Sequence, residues 1–568
     1  MTMAIRRGFV LGLPVVATQT LLVAVISLVS LSTHVVSGDD TQVVAKTVYG
    51  EILGSNTGSC KVFRGVPYAR SPDGERRFKP PGPPLPWGPT LILHTLKDGP
   101  GCPQANCSQH IPALGCPPET SENCLFLNIF VPVAKPRSSA GHPVMFWIHG
   151  GNFRRGFGGG PLYDGQHIAN SSNVIVVSIN YRLGALGFLT SSSGGLRGNF
   201  GLMDQRKAME WVKENIAFFD GDPNSVTLFG QSAGAMSVAT HLASARSAGL
   251  FHKAILESEP FGIYMRSKED AERMAAIFFK TLGCAADDPQ CWQYKPTRFI
   301  MEAQAEASKH LVDLINLLEI FIPWTPTIDG DEVVEEPLFS FQKGNIADIP
   351  IIIGTVSEEC VMYIYGVSPV KKIPEAEYNL AMDVKFGRHA SDVQKMYVYK
   401  DTGSGDTRDH IAVLGTDYVF RCPTRNTTRS VVSSPERSQP VYRYIFNHSM
   451  SFDGWGPVLS YCMHRVCHGS ELVFIFQPNI SSIGQHYTPE ELVMSNKLIQ
   501  LWTNFAHTGN PNSPHTVPDF IWQEYHSVSK DNGWMGTINI TANAFTEFLD
   551  VDYESERCDF WDQYGYRD

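Results

Sequence analysis

Continuous apolar runs alternate along this chain with stretches in which apolar residues recur at helical spacing. Val144 to Ile148 is one such run, ending in His149-Gly150-Gly151, and Val174 to Val177 is another. Strands that are apolar at every position are those buried on both faces, as in a parallel sheet covered by helices. Between Leu202 and Phe219 the residues Met209, Val212, Ile216 and Phe219 recur at helical spacing. A turn is predicted at Gly221-Asp222-Pro223, followed by the short run Val226 to Phe229. Ile351 to Ile353 supplies a further buried strand. Near the C-terminus Thr488, Pro489 and Glu491 make a capping-box start for a helix carrying Met494, Leu498, Leu501 and Phe505, which Gly509 stops. This alternation predicts an α/β fold on a large, mostly parallel sheet. With no internal repeat or low-complexity linker, residues 39–568 read as a single domain.

The first residues carry a different pattern. Arg6 and Arg7 precede an apolar run from Gly8 to about Leu31, and small and polar residues lead to Ser37 and Gly38. This predicts a signal peptide over 1–38 and export of the rest. A signal anchor is the alternative, because the run approaches the ~20 residues that span a bilayer. Pro14, Thr18, Gln19 and Thr20 weaken that alternative, so the mature protein is expected to be secreted and free of the membrane. Loss of Arg6 and Arg7 takes the formal charge from -11 to -13, and no block of Lys or Arg offers a stripe for phosphates. Nucleic acid is therefore not an expected partner.

Export changes the meaning of the 12 cysteines. In an oxidising compartment they read as a disulfide framework. Pro and Gly surround Cys102, Cys107, Cys116 and Cys124, and no close Cys-x-x-Cys pair is present, so neither a metal site nor any other cofactor is expected. Asn-x-Ser/Thr sequons at Asn106, Asn170, Asn426, Asn447, Asn479 and Asn539 are candidate glycosylation sites on an exported chain.

The chemistry concentrates in two glycine-flanked motifs. Gly230-Gln231-Ser232-Ala233-Gly234 directly follows the strand Val226 to Phe229 and precedes a helix-compatible stretch from Ala235 to Ala243. A sharp strand-to-helix turn pushes a serine hydroxyl clear of the backbone, and flanking glycines let neighbouring elements approach without a Cβ clash. Ser232 is thus a candidate nucleophile. Upstream, His149-Gly150-Gly151-Asn152-Phe153 also leaves a strand, so the N–H groups of Gly150, Gly151 and Ala233 can surround a developing oxyanion.

With these two motifs the sequence resembles the type-B carboxylesterase and cholinesterase family, from about Val43 to the C-terminus. Further landmarks are Phe63-Arg64-Gly65-Val66-Pro67-Tyr68-Ala69, Glu122-Asn123-Cys124-Leu125-Phe126-Leu127-Asn128, Asn180-Tyr181-Arg182, Asn199-Phe200-Gly201-Leu202 and Trp502 to Asn512. The resemblance implies the α/β-hydrolase fold and cleavage of small-molecule carboxylic esters. It also implies a Ser-Glu-His triad that lands on Ser232, Glu359 and His468. Glu358 adjoins Glu359; an extended exit from the strand is expected to turn the two to opposite sides, leaving Glu358 as a solvated loop charge. Family-like disulfides are Cys102–Cys124, Cys284–Cys291 and Cys422–Cys558, with Cys107–Cys116 as a local guess; Cys60, Cys360, Cys462 and Cys467 receive no assignment.

Several departures bear on specificity. Gln231 replaces the Glu usual before the nucleophile, and no Trp, Tyr or Phe lies between Cys102 and Cys124, where cholinesterases place a Trp that holds a quaternary ammonium. Choline esters are thus expected to be poorer substrates than uncharged ones. Glu259 and Cys360 stand where relatives usually have Gly and are expected to reshape the pocket. A neuroligin-like adhesion protein is the main rival reading, since such relatives keep the fold and discard catalysis. Ser232 counts against it. A lipase is a second alternative, and the oligomeric state stays open.

Overall fold

The computed structural model describes residues 41–88, 90–309, 321–367, 371–401, 403–518, 520–528, 534–548 and 555–566. The predicted signal peptide over 1–38 lies outside the described residues. One 13-stranded sheet organises the chain. Its middle is parallel, in the spatial order Ile175–Ile179, His142–Ile148, Gly221–Gln231, Lys253–Glu257, Ile351–Val356, Val441–Phe446 and Thr537–Ile540. Antiparallel strands extend it beyond Ile175–Ile179 through Phe126–Pro132, Cys60–Pro67, Gly50–Asn56 and Thr41–Thr47. At the other edge Phe545–Phe548 pairs antiparallel.

The all-apolar runs sit in this parallel middle because helices cover both faces of it. Val144 through Ile148 are fully buried, as are Ile255 and Leu256. Trp147 packs against the rings of Tyr163, Phe229 and Phe476, which ties the central strand to its neighbour and to the helix Leu472–Phe476. The helix Pro489–Thr508 begins at the capping box of Thr488 and Glu491 and ends at Gly509, whose φ of 78° supplies the left-handed cap.

Two local readings need correction. Gly221-Asp222-Pro223 is not a free turn but the irregular start of the strand Gly221–Gln231, with a register shift between Gly221 and Val226. Pro223 is compatible with this because pairing is interrupted there. Residues 357–360 form a turn rather than an extended exit, so Glu358 and Glu359 are not related by strand alternation.

Disulfides join Cys102 to Cys124, Cys107 to Cys116, Cys284 to Cys291, Cys422 to Cys558 and Cys462 to Cys467. Cys60 and Cys360 are free and buried. Among the described residues no helix is long and apolar enough to cross a membrane, and no cluster of side chains is suited to hold a metal ion.

Candidate active site

Ser232 stands between the strand Gly221–Gln231 and the helix Ala233–Ala243 with φ 59° and ψ -124°. A non-glycine residue held there costs on the order of 1–3 kcal/mol, which the surrounding packing must offset. The glycines on either side make the packing possible. A Cβ on Gly234 would lie 2.1 Å from the Ile148 carbonyl oxygen, and one on Gly230 would lie 2.7 Å from the Gly234 carbonyl carbon. The Ser232 N–H donates to the Glu257 carbonyl at 2.9 Å, tying the bend to the next strand.

A cavity of about 180 Å³ opens over Ser232, walled in part by Gly150, Gly151, Tyr163, Tyr363, Trp455 and His468. The glycine loop reaches it because His149 is buried behind it, stacked on Tyr181 at 4.6 Å, while the Tyr181 hydroxyl donates to the His149 carbonyl at 2.9 Å. Burial pushes the His149 imidazole down to about 4, so it supports the loop as a neutral ring. Among the described residues the N–H groups of Gly150, Gly151 and Ala233 have no protein acceptor. Amides left free beside a serine are what an oxyanion requires.

His468 and Glu359 meet on the far side of Ser232. Nδ1 of His468 lies 2.5 Å from Oε2 of Glu359, whose other oxygen accepts from the Val356 N–H at 2.9 Å. Glu359 is fully buried, and the histidine ring sits between Tyr363 and Phe420 with centroids 5.3 and 5.1 Å away. Nε2 of His468 lies 2.9 Å from the Gln231 amide nitrogen. Tyr363 lies beside Ser232 in the cavity wall, and among the described residues no hydrogen bond joins the Ser232 side chain to His468. Nδ1 must carry the proton to bond a carboxylate, which leaves the Nε2 lone pair to accept from Gln231.

Glu358 is a partly exposed charge that is held in place rather than free. Its Oε2 accepts from the Val466 N–H at 2.8 Å and its Oε1 lies 3.5 Å from Arg465, so it ties down the loop that carries His468. The turn over 357–360 causes this, since it directs both carboxylates toward that loop. The Cys462–Cys467 disulfide closes the same loop.

Sequence reasoning missed a buried carboxyl layer behind the site. Glu257 accepts from the Trp502 indole N–H at 2.8 Å, and Ser258 donates to Glu471 at 3.4 Å. Burial pushes Glu257 up to about 8, and pushes Glu259 and Glu471 well above the usual carboxylate range. The signal available was Glu257-Ser258-Glu259, acids in a run between apolar segments. Neither Glu259 nor Cys360 is among the described residues lining the cavity; both are buried beneath it.

A profile described as the carboxylesterase family matches residues 40–561. The chain is 36% identical over 526 residues to the crystal protein of Dictyostelium discoideum, covering 91% of this chain and 90% of the relative. It is 33% identical to the acetylcholinesterase of Bungarus fasciatus, covering 80% of this chain and 76% of that enzyme. Among solved structures, a PNB esterase superimposes with a TM-score of 0.74 at 30% identity, over 91% of this chain and 100% of the other. A thermophilic PNB esterase gives a TM-score of 0.76 at 31% identity, over 91% of this chain and 99% of the other. With an α/β-hydrolase fold and a family match across nearly all of its length, the chain belongs to the carboxylesterase family and is a carboxylic ester hydrolase.

Proposed function

We propose that this is a secreted serine hydrolase that cleaves carboxylic esters through an acyl-enzyme on Ser232. In this reading His468 is the general base and Glu359 its orienting acid. The observation that carries it is one cavity lined by a serine on a strained bend, a carboxylate-bound histidine and the free amides of Gly150 and Gly151, with that of Ala233 next to the serine. The reaction begins as a substrate carbonyl enters between Ser232 and the amides of Gly150, Gly151 and Ala233. The Ser232 hydroxyl turns to Nε2 of His468, displacing Gln231; hydrogen bonds of this kind often form only once substrate is bound. Nε2 takes the serine proton as Oγ attacks, and the oxyanion is held by the three amides. Glu359 stabilises the resulting imidazolium, which returns the proton to the leaving alcohol. Water then repeats the sequence on the acyl-enzyme and frees the acid.

The five disulfides and the sequons support export, and Asn106, Asn170, Asn447 and Asn479 are exposed enough to accept glycans. Stopped-flow hydrolysis of a p-nitrophenyl ester tests the two-step mechanism. A burst of nitrophenol matching the enzyme concentration is expected when deacylation is the slower step, and a denaturant quench should trap the acyl group on Ser232. Turnover with no acyl group trapped on any residue under single-turnover conditions contradicts it.

A further inference from the structure

The glycine loop that supplies the candidate oxyanion hole continues into two arginines. Asn152 and Phe153 both have left-handed φ, 58° and 53°, and Phe153 is fully buried against Phe188 with ring centroids 5.0 Å apart. The backbone then folds back, with the N–H groups of Arg154 and Arg155 both donating to the Gly151 carbonyl at 3.0 and 2.9 Å. Gln104 clamps the far end by bonding both the N–H and the carbonyl of Gly156, at 3.0 and 2.9 Å. This turn places Arg154 and Arg155 in the wall of the cavity that holds Ser232.

Neither has a carboxylate partner among the described residues, which sets them apart from four buried arginines elsewhere in the chain. Arg77 pairs with Glu122, Arg182 with Asp204, Arg421 with Asp417, and Arg425 with Asp559 and Asp562. Arg155 is only 8% exposed, and among the described residues its guanidinium makes one hydrogen bond, a long 3.4 Å one from Nε to the Ala105 carbonyl. The described lining of the cavity includes no Asp or Glu. Burial, and then the charge of Arg154, push Arg155 down to about 9, as befits a cation the protein does not neutralise. Buried arginines are ordinarily paired, and a guanidinium offers a planar fork that fits a carboxylate, sulfate or phosphate.

We propose that Arg154 and Arg155 form an anion subsite of the ester cavity, so that the preferred substrates are esters carrying a carboxylate, sulfate or phosphate besides the scissile ester. This rests on the hydrolase reading of Ser232. The net charge of -11 does not oppose it at close range, because exposed charges beyond a Debye length of about 8 Å are largely screened at physiological salt.

The test compares kcat/KM for matched esters. On the acyl side these are p-nitrophenyl hemiglutarate and p-nitrophenyl pentanoate; on the alcohol side, 4-(butyryloxy)benzoate and 4-(butyryloxy)benzamide. In at least one pair the anionic ester is expected to be favoured roughly tenfold or more, as a charge-assisted pair predicts. The ratio should fall to about one in Arg154→Gln/Arg155→Gln and persist in part in Arg155→Lys, which keeps the charge. Glutarate, phosphate or sulfate should compete with the neutral ester in the wild type and lose this effect in the double variant, which identifies the preferred anion. Neutral esters favoured in both pairs, or a preference that survives the double variant, overturn the subsite and leave the hydrolase reading standing. No turnover of any of the four esters overturns the hydrolase reading itself.

Discussion

The side-chain amide of Gln231 lies 2.9 Å from Nε2 of His468, the nitrogen that receives the Ser232 proton in the proposed mechanism. The residue before the proposed nucleophile therefore touches the proposed base directly. A carboxylate in its place would favour the imidazolium, and the imidazolium cannot act as base. Gln231→Glu is expected to move the acid limb of the kcat/KM profile upward by about one pH unit, lowering activity near pH 6 more than at pH 8. A profile superimposable on that of the wild type from pH 5 to 9 contradicts the contact.

The two adjacent glutamates separate by what they bind. Glu359→Gln cannot hold the protonated Nδ1 in the same way, so kcat should fall on the order of a thousandfold. Glu358→Gln keeps an oxygen for the Val466 N–H and should retain kcat within about threefold, whereas Glu358→Ala removes that acceptor and should lose more. Parallel kinetics on the three variants check this; a larger loss in Glu358→Gln than in Glu359→Gln contradicts it.

How far the site was legible in the sequence divides along the same lines. Ser232 and the glycine loop announce themselves because a strand, a glycine bend and a helix must follow one another in the chain. The tethering of Glu358 was not legible because the 357–360 turn is set by its neighbours: the Cys360 N–H donates to Thr416 and Arg421 donates to the Ser357 carbonyl, residues some 60 positions away. The Gln231 contact and the buried carboxyls likewise arise from long-range packing, with Gln231 and His468 separated by 237 positions. The place of Arg154 and Arg155 in the cavity wall likewise depends on the burial of Phe153 against Phe188, 35 positions away in the chain.

The buried carboxyl layer sets a pH dependence of stability. Glu257 stays protonated in the folded chain up to about 8, whereas an unfolded glutamate ionises near 4.5. Between these values the unfolded chain binds fewer protons, so stability is fully present below about pH 4.5 and is lost as pH rises toward 8. Glu257→Gln is expected to remove up to about 1.4 kcal/mol per pH unit of this slope. Thermal melts at pH 5, 6, 7 and 8 check it, and an unchanged slope in the variant contradicts it.

The bend at Ser232 depends on close backbone approach. In Gly234→Ala the new Cβ would meet the Ile148 carbonyl oxygen at 2.1 Å, so helix and strand must separate. A loss of about 2 kcal/mol or more is expected, with activity falling as Ser232 shifts. Denaturant unfolding measures it, and a stability equal to that of the wild type contradicts the packing.

The central claim is that Ser232 is the nucleophile, and Ser232→Ala tests it most directly. Removal of one hydroxyl from a residue that is 2% exposed leaves the fold nearly untouched, so thermal melting should match the wild type. Steady-state hydrolysis of a p-nitrophenyl ester should fall by at least about a thousandfold, to what the amides and the cavity provide alone. Turnover by Ser232→Ala within tenfold of the wild type, in a protein that melts normally, would show that the ester is cleaved without this serine.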